Sequence, residues 1–135
     1  MKTVRSVLID ANIIIRFLLQ DHPSLFIKAK QLFDRAERGE IYCYFDEVTL
    51  AEVIWVLISV YKMKREDIID KLELLLVQEW IVNIRKHTML RALAFYRMNT
   101  VNYIDCWLIA VAEEKHISLE TFDIKLKKQI DKINL

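Results

Sequence analysis

Glycine and proline are almost absent from this chain, and their scarcity restricts the folds open to it. Among 135 residues there is one glycine, Gly39, and one proline, Pro23, whereas typical usage is about 7% and about 5%. Hairpin-rich β proteins need glycine at turn positions that have positive φ. The composition therefore disfavours an all-β fold and favours an architecture dominated by helices.

The bulk composition is that of a globular protein. The 135 residues are 54% hydrophobic and 29% charged, which is enough apolar surface to build a core. The formal net charge is +1, so any contact with nucleic acid depends on local basic patches. We find no internal repeat or linker, and residues 1–135 are predicted to form a single domain.

The N-terminal segment and the cysteines predict a cytoplasmic protein with no membrane association. Residues 1–5 carry charges and lead into a short apolar run, unlike a secretory signal peptide. No segment approaches the roughly 18 uninterrupted apolar residues of a membrane span. Cys43 and Cys106 form no C-x-x-C motif, and we expect both to be reduced, packed thiols.

Short apolar runs alternate with amphipathic segments along the chain. The first run is continuous and rich in β-branched residues, which predicts a strand buried on both faces. Such alternation predicts an α/β fold with a short, mostly parallel central sheet in a three-layer α/β/α arrangement. The expected strands are 4–9, 41–45, 80–84 and 119–122, and the expected helices are 12–19, 25–36, 49–61, 68–76, 86–98, 105–115 and 124–128.

Four acidic residues stand where apolar segments end or where a helix should bury its face: Asp10, Glu52, Asp105 and Asp123. Asp10 and Asp123 follow the first and last predicted strands, and reactive groups gather at the carboxyl ends of strands in open α/β sheets. Glu52 and Asp105 lie among apolar residues of helices, on faces that the helical period predicts to point inward.

Carboxylates that converge in a partly buried site cannot all stay ionised unless a cation compensates their charge. An all-oxygen ligand set without Cys or His selects Mg²⁺ or Mn²⁺. These ions serve phosphoryl chemistry by activating water and neutralising charge on the phosphate. If the four acids converge, the predicted reaction is hydrolysis of a phosphodiester in a nucleic acid.

Each acid also has a purely structural interpretation. The two acids that follow strands could be helix N-caps, and Asp105 could cap its own helix. Glu52 lies within a helix and has no capping role. Its alternative is a buried ion pair with an arginine, either Arg16 or Arg91.

Taken together, the segments around the acids resemble a PIN domain, and specifically the VapC-type toxins of bacterial and archaeal toxin–antitoxin pairs. The resemblance covers essentially the full length, and the order and spacing of all four acids fit. One departure is Asn102, which stands where many relatives carry another acid. The matching segments are 8–18, 50–57, 103–110 and 121–123.

The resemblance implies a Mg²⁺- or Mn²⁺-dependent endoribonuclease. It implies that the four acids bind the metal and position the attacking water, with Asn12 and Thr121 as supporting polar groups. It further implies a homodimer that is inhibited by a cognate antitoxin protein. The alternative is a PIN-like module that binds RNA or a protein partner without turnover.

Overall fold

The computed structural model describes residues 4–133, which divide into two compact units between Ile84 and Arg85. The first unit contains the sheet and four helices. Its elements are β1 (Arg5–Leu8), α1 (Ala11–Leu19), α2 (Pro23–Glu37), β2 (Ile41–Tyr44), α3 (Glu47–Ser59), α4 (Arg65–Leu76) and β3 (Ile81–Val82). The second unit is helical, with α5 (Lys86–Met98), α6 (Tyr103–Lys115) and α7 (Ile124–Ile133).

The three strands of the first unit form a parallel sheet in the order β1-β2-β3. The central strand β2 pairs Cys43 with Val7 on one side and with Ile81 on the other. Parallel pairing requires crossover connections, and helices α1 and α2 supply the first of them, whereas α3 and α4 supply the second. The predicted α/β class with a short parallel sheet is confirmed.

The helices of the first unit follow the apolar stripes in the sequence. Helix α2 begins at Pro23, which suits the first turn, and it buries Ala29, Phe33 and Ala36 at the spacing of one helical face. Helix α3 is apolar on nearly all sides, so its sequence does not define one buried face. The residues that it buries are Leu50, Val53, Ile54 and Leu57.

In the second unit α5 packs against α6. Helix α5 buries Met89, Leu93 and Tyr96, and the ring of Tyr96 meets that of Tyr103 edge-on at 5.8 Å between centroids. Arg91 on α5 also forms an ion pair with Glu113 on α6. These contacts hold the helix that carries Asp105.

Three of the predicted strands differ from the structure. Strand β1 was expected to be buried on both faces, but it is an edge of the sheet and Leu8 is 73% exposed. The strand predicted at 119–122 is irregular chain, and the charged Glu120 interrupts its apolar run. Strand β3 is also shorter than the predicted segment 80–84, because only Ile81 and Val82 pair with β2.

Within residues 4–133, no helix is long and apolar enough to cross a membrane.

Candidate active site

Asp10 lies between β1 and α1 and caps the helix. Its Oδ1 accepts a hydrogen bond from the backbone N–H of Ile13 at 3.1 Å, which satisfies one of the unpaired donors at a helix N-terminus. The capping interpretation of this acid is therefore correct. This bond occupies one carboxylate oxygen, and an ionised carboxylate can accept several bonds, so capping does not prevent Asp10 from binding a cation.

A cavity of about 110 Å³ brings Glu52 and Asp10 to one place in the first unit. Glu52 comes from the middle of α3, and Asp10 comes from the start of α1. Asn12 also lines the cavity, as its position two residues after Asp10 allows. The remaining lining residues are Ala11, Ile15 and Val56, so the two carboxylates share the cavity with an amide and apolar side chains.

The face of α3 that carries Glu52 is exposed, contrary to the sequence prediction. Glu52 itself is exposed, and Trp55 on the same face is 64% exposed. The periodic pattern could not choose the buried face, because a helix that is apolar all round has no single apolar stripe. The buried ion pair considered for Glu52 is not formed with Arg16, which pairs with Asp21 at 3.0 Å.

Asp105 lies in the first turn of α6 and is half-buried. The residue that caps this helix is Asn102, whose Oδ1 accepts from the N–H of Asp105 at 2.9 Å. The interpretation of Asp105 as a cap is therefore wrong, and its carboxylate has no capping role.

Asp123 directly precedes α7 and caps it through Oδ1, which accepts from the N–H of Leu126 at 2.9 Å. Thr121 supports this turn, because its Oγ1 accepts from the N–H of Asp123 at 3.0 Å. Thr121 therefore fixes the backbone at Asp123.

The carboxylates of Asp105 and Asp123 interact electrostatically. The pKa of Asp105 is raised above its usual value, first by burial of its carboxyl and then by the negative charge of Asp123. Two carboxylates that repel each other are stabilised by a cation. The second unit therefore presents an acid pair of its own.

The donor chemistry of both pairs fits a hard divalent cation. In neither unit do the described residues bring three or more Asp, Glu, His or Cys side chains into a group that could hold a metal. Mg²⁺ is commonly held by one or two carboxylates and keeps several waters. Asp10 with Glu52, and Asp105 with Asp123, each supply that number of carboxylates.

Among the residues that line the first cavity, the polar ones were predicted from the sequence and the apolar ones were not. Ala11 and Ile15 lie one and five residues after Asp10, and Val56 lies four residues after Glu52. Helical spacing places residues i and i+4 on one face, and this signal identifies Val56 from the position of Glu52 alone.

Comparison with known protein families identifies the family of this chain. The model of the PIN domain family matches residues 7–131, and the chain belongs to that family. Searches of curated proteins and of solved structures gave no significant match. PIN domains are generally metal-dependent nucleases, and the elements of this chain are consistent with their three-layer α/β/α fold.

Proposed function

We propose that this protein is a metal-dependent endoribonuclease that acts as the toxin of a toxin–antitoxin pair. The observation that carries the proposal is the cavity that Asp10 and Glu52 line together. These carboxylates come from separate helices. Because both are exposed and line the same cavity, their arrangement is suited to binding a cation and not to packing in a core. Membership of the PIN family supports a nuclease.

The proposed catalytic and metal-binding residues are Asp10, Glu52, Asp105 and Asp123. Bound Mg²⁺ or Mn²⁺ would neutralise charge on a phosphate and lower the pKa of a water molecule. Asp10 and Asp123 have backbone hydrogen bonds that fix one oxygen of each carboxylate. Fixed oxygens reduce the conformational entropy that is lost when a cation binds.

The supporting polar residues have separate roles. Asn12 lines the cavity with Asp10 and Glu52, and its amide can hold a water or a phosphate oxygen there. Thr121 fixes the backbone of Asp123. Both roles position groups and require no change in protonation.

The proposed partners are an RNA substrate, a cognate antitoxin and a second copy of the chain, all in the cytoplasm. The first unit offers a surface for a protein partner in a cavity of about 380 Å³. Leu74 on its wall is 68% exposed, and a protein partner that filled the cavity would cover this side chain. The apolar lining residues are Phe17, Leu18, Leu74, Leu75 and Trp80.

A non-catalytic PIN-like module that binds RNA or protein is the second candidate. One observation favours it. Among the described residues, each unit brings together two carboxylates, whereas a stronger metal site would have three or more protein ligands. Such a module would bind RNA with no requirement for divalent cations.

The test is cleavage of total cellular RNA by the purified protein in Mg²⁺, in Mn²⁺ and in EDTA. We expect discrete fragments that require a divalent cation and that are not produced by Asp10→Asn. A thermal melt in Mg²⁺ gives a readout that does not depend on activity, because a cation that binds the native state raises its stability. RNA binding without cleavage and without a cation-dependent shift would support the binding module.

A further inference from the structure

Trp55 is an exposed aromatic side chain beside the cavity of the first unit. It is 64% exposed, although tryptophan is highly buried on average in globular proteins. On α3 it lies three residues after Glu52 and directly before Val56, both of which line the cavity. Side chains three residues apart on a helix have Cβ atoms about 5–6 Å apart. The indole and the Glu52 carboxylate therefore belong to one surface.

The cavity itself is too small to hold a nucleoside. Its volume is about 110 Å³, whereas pockets that enclose small molecules measure roughly 300–1,000 Å³. The space suits a cation and part of a phosphate group. The base of a nucleotide held there must then lie outside the cavity, on the surrounding surface.

An exposed aromatic ring is the group that proteins use to hold an unpaired base. Stacking on such a ring tolerates any base, because every base has a π face. A base within a duplex already has neighbours on both faces, whereas unstacked bases of single strands are available to aromatic side chains. A ring beside a phosphate-sized cavity therefore fits single-stranded RNA.

We propose that Trp55 stacks on a nucleobase of single-stranded RNA whose phosphate lies at the Asp10–Glu52 cavity. The inference rests on the proposed ribonuclease function and assigns a contact with its substrate to Trp55. Trp55 is a positioning residue, because it fixes the strand relative to the two carboxylates without touching the bond that breaks.

A second copy of the chain is the other occupant that an exposed indole could accept. In a two-fold interface the same surface meets itself, so a contact centred on Trp55 would bring two Glu52 carboxylates together. Helix α3 contains no lysine or arginine to pair with them, and burying like charges is unfavourable. A stacked base leaves Glu52 in contact with water and ions, and we therefore assign the indole to RNA.

The test follows the fluorescence of Trp55 while RNA binds. In a Trp80→Phe, Trp107→Phe background, Trp55 is the sole tryptophan of the chain. Phenylalanine at 80 keeps an aromatic ring against Phe33, whose centroid lies 5.3 Å from that of Trp80. The probe is a fluorescein-labelled single-stranded RNA of random sequence, titrated in Ca²⁺ and followed by anisotropy. We expect saturable quenching of Trp55 by this RNA, and much less by the matching duplex.

Variants then test the contribution of the ring to affinity. Trp55→Ala should weaken binding of the single strand by roughly 5- to 150-fold, the usual worth of one stacked base. Trp55→Phe should retain most of the affinity, because phenylalanine keeps an aromatic ring on which a base can stack, although the ring is smaller than that of tryptophan. The matched control is Val60→Ala. Val60 follows α3 and is 59% exposed, and it does not line the Asp10–Glu52 cavity. We expect it to leave binding unchanged.

The other outcomes are decisive. RNA that binds without quenching, or a Trp55→Ala protein that binds as tightly as the wild type, would overturn the inference while cleavage by the wild type upholds the proposed function. A wild-type protein that neither binds nor cleaves RNA would overturn both. The indole would instead belong to an interface with a second copy if two results were found together. The emission of Trp55 would shift with protein concentration in the absence of RNA, and Trp55→Ala would disrupt a dimer.

Discussion

Arg91 on α5 donates two hydrogen bonds to the carboxylate of Glu113 on α6, from Nε to Oε1 at 2.8 Å and from Nη2 to Oε2 at 2.9 Å. Parallel bonds of this kind are the strongest geometry available to an arginine and a carboxylate. The hydrogen bond from Arg91 holds the pKa of Glu113 below its usual value. The second arginine considered as a partner for Glu52 thus pairs with a different acid.

Replacing Arg91 with methionine should reduce the free energy of unfolding by about 0.5–1 kcal/mol near neutral pH, because both partners are partly exposed. Since the pKa of Glu113 is lowered in the native state, the stabilisation is present above its unfolded value of about 4.3. It is lost as the pH falls through the native value. Urea denaturation should show a larger loss of stability near neutral pH than at about pH 3.

A matched control for this pair is Lys30→Met, which breaks the exposed Lys30–Asp34 pair within one helix and should cost less than about 0.5 kcal/mol. Arg91 also lies over the ring of Phe95, with 4.6 Å between its Cζ and the ring centroid. An equal loss of stability at both pH values would show that packing on this ring, rather than the ion pair, is what Arg91 contributes.

Asp10→Asn separates the capping role of this residue from its proposed role in catalysis. Asparagine caps helices about as well as aspartate, so the thermal midpoint without metal should change little. We expect RNA cleavage to fall by at least about 100-fold, the range for losing a key electrostatic group. The control is Asp46→Asn, because Asp46 caps α3 by accepting from the N–H of Val48 at 2.9 Å and is not among the proposed ligands. Wild-type cleavage by Asp10→Asn would remove this carboxylate from the mechanism.

Asp105→Asn should stabilise the protein in the absence of divalent cations. The raised pKa of Asp105 means that the native state binds a proton more tightly than the unfolded state, so stability falls as the pH rises from about 3.9 through the native value. The gain near neutral pH should stay below about 1 kcal/mol, because the carboxylate is partly exposed. At about pH 3 both proteins are neutral at this site, and a gain that persists there would point to a cause other than charge.

His116→Gly should stabilise helix α6 at its C-terminal end. His116 has a left-handed backbone with φ of 53°, which costs roughly 1–2 kcal/mol for a residue with a Cβ. Glycine removes this strain and adds up to about 1 kcal/mol of unfolded-state entropy, so we expect a net gain of up to about 1 kcal/mol in a urea titration. The converse control is Gly39→Ala. Gly39 has φ of 82°, and a Cβ added there would meet no atom within 4 Å, so a loss of stability would come from the backbone alone.

The sequence predicted the helices well and the edges of the sheet poorly. Helix α5 was predicted with its observed bounds, and α2 within two residues, because regular apolar stripes define a helix and its buried face. The sheet depends on which strands pair, and pairing is a property of distant segments. The apolar run at 119–122 therefore predicted a strand that the structure lacks, and β1 was given a buried environment although it is an edge.

For the candidate site, the sequence predicted some residues of one cavity but not which faces of their helices are exposed. The sequence placed Asp10 at the end of a strand, and the structure brings it to the same cavity as Glu52 and Asn12. It could not tell that Glu52 is exposed, because the uniformly apolar α3 hides which face points inward. It also offered Asp105 as a cap, whereas Asn102 performs that role, and both residue types suit that position.

Both thiols of the chain are shielded from reagents in water. Cys43 and Cys106 are completely buried, and burial raises the pKa of the Cys43 thiol to about 11. Because the thiolate is the reactive form, a maleimide dye at neutral pH will leave these native side chains unmodified. A cysteine introduced on the surface would then be the sole site of labelling, so this protein can carry spectroscopic probes at chosen positions without first removing its own cysteines.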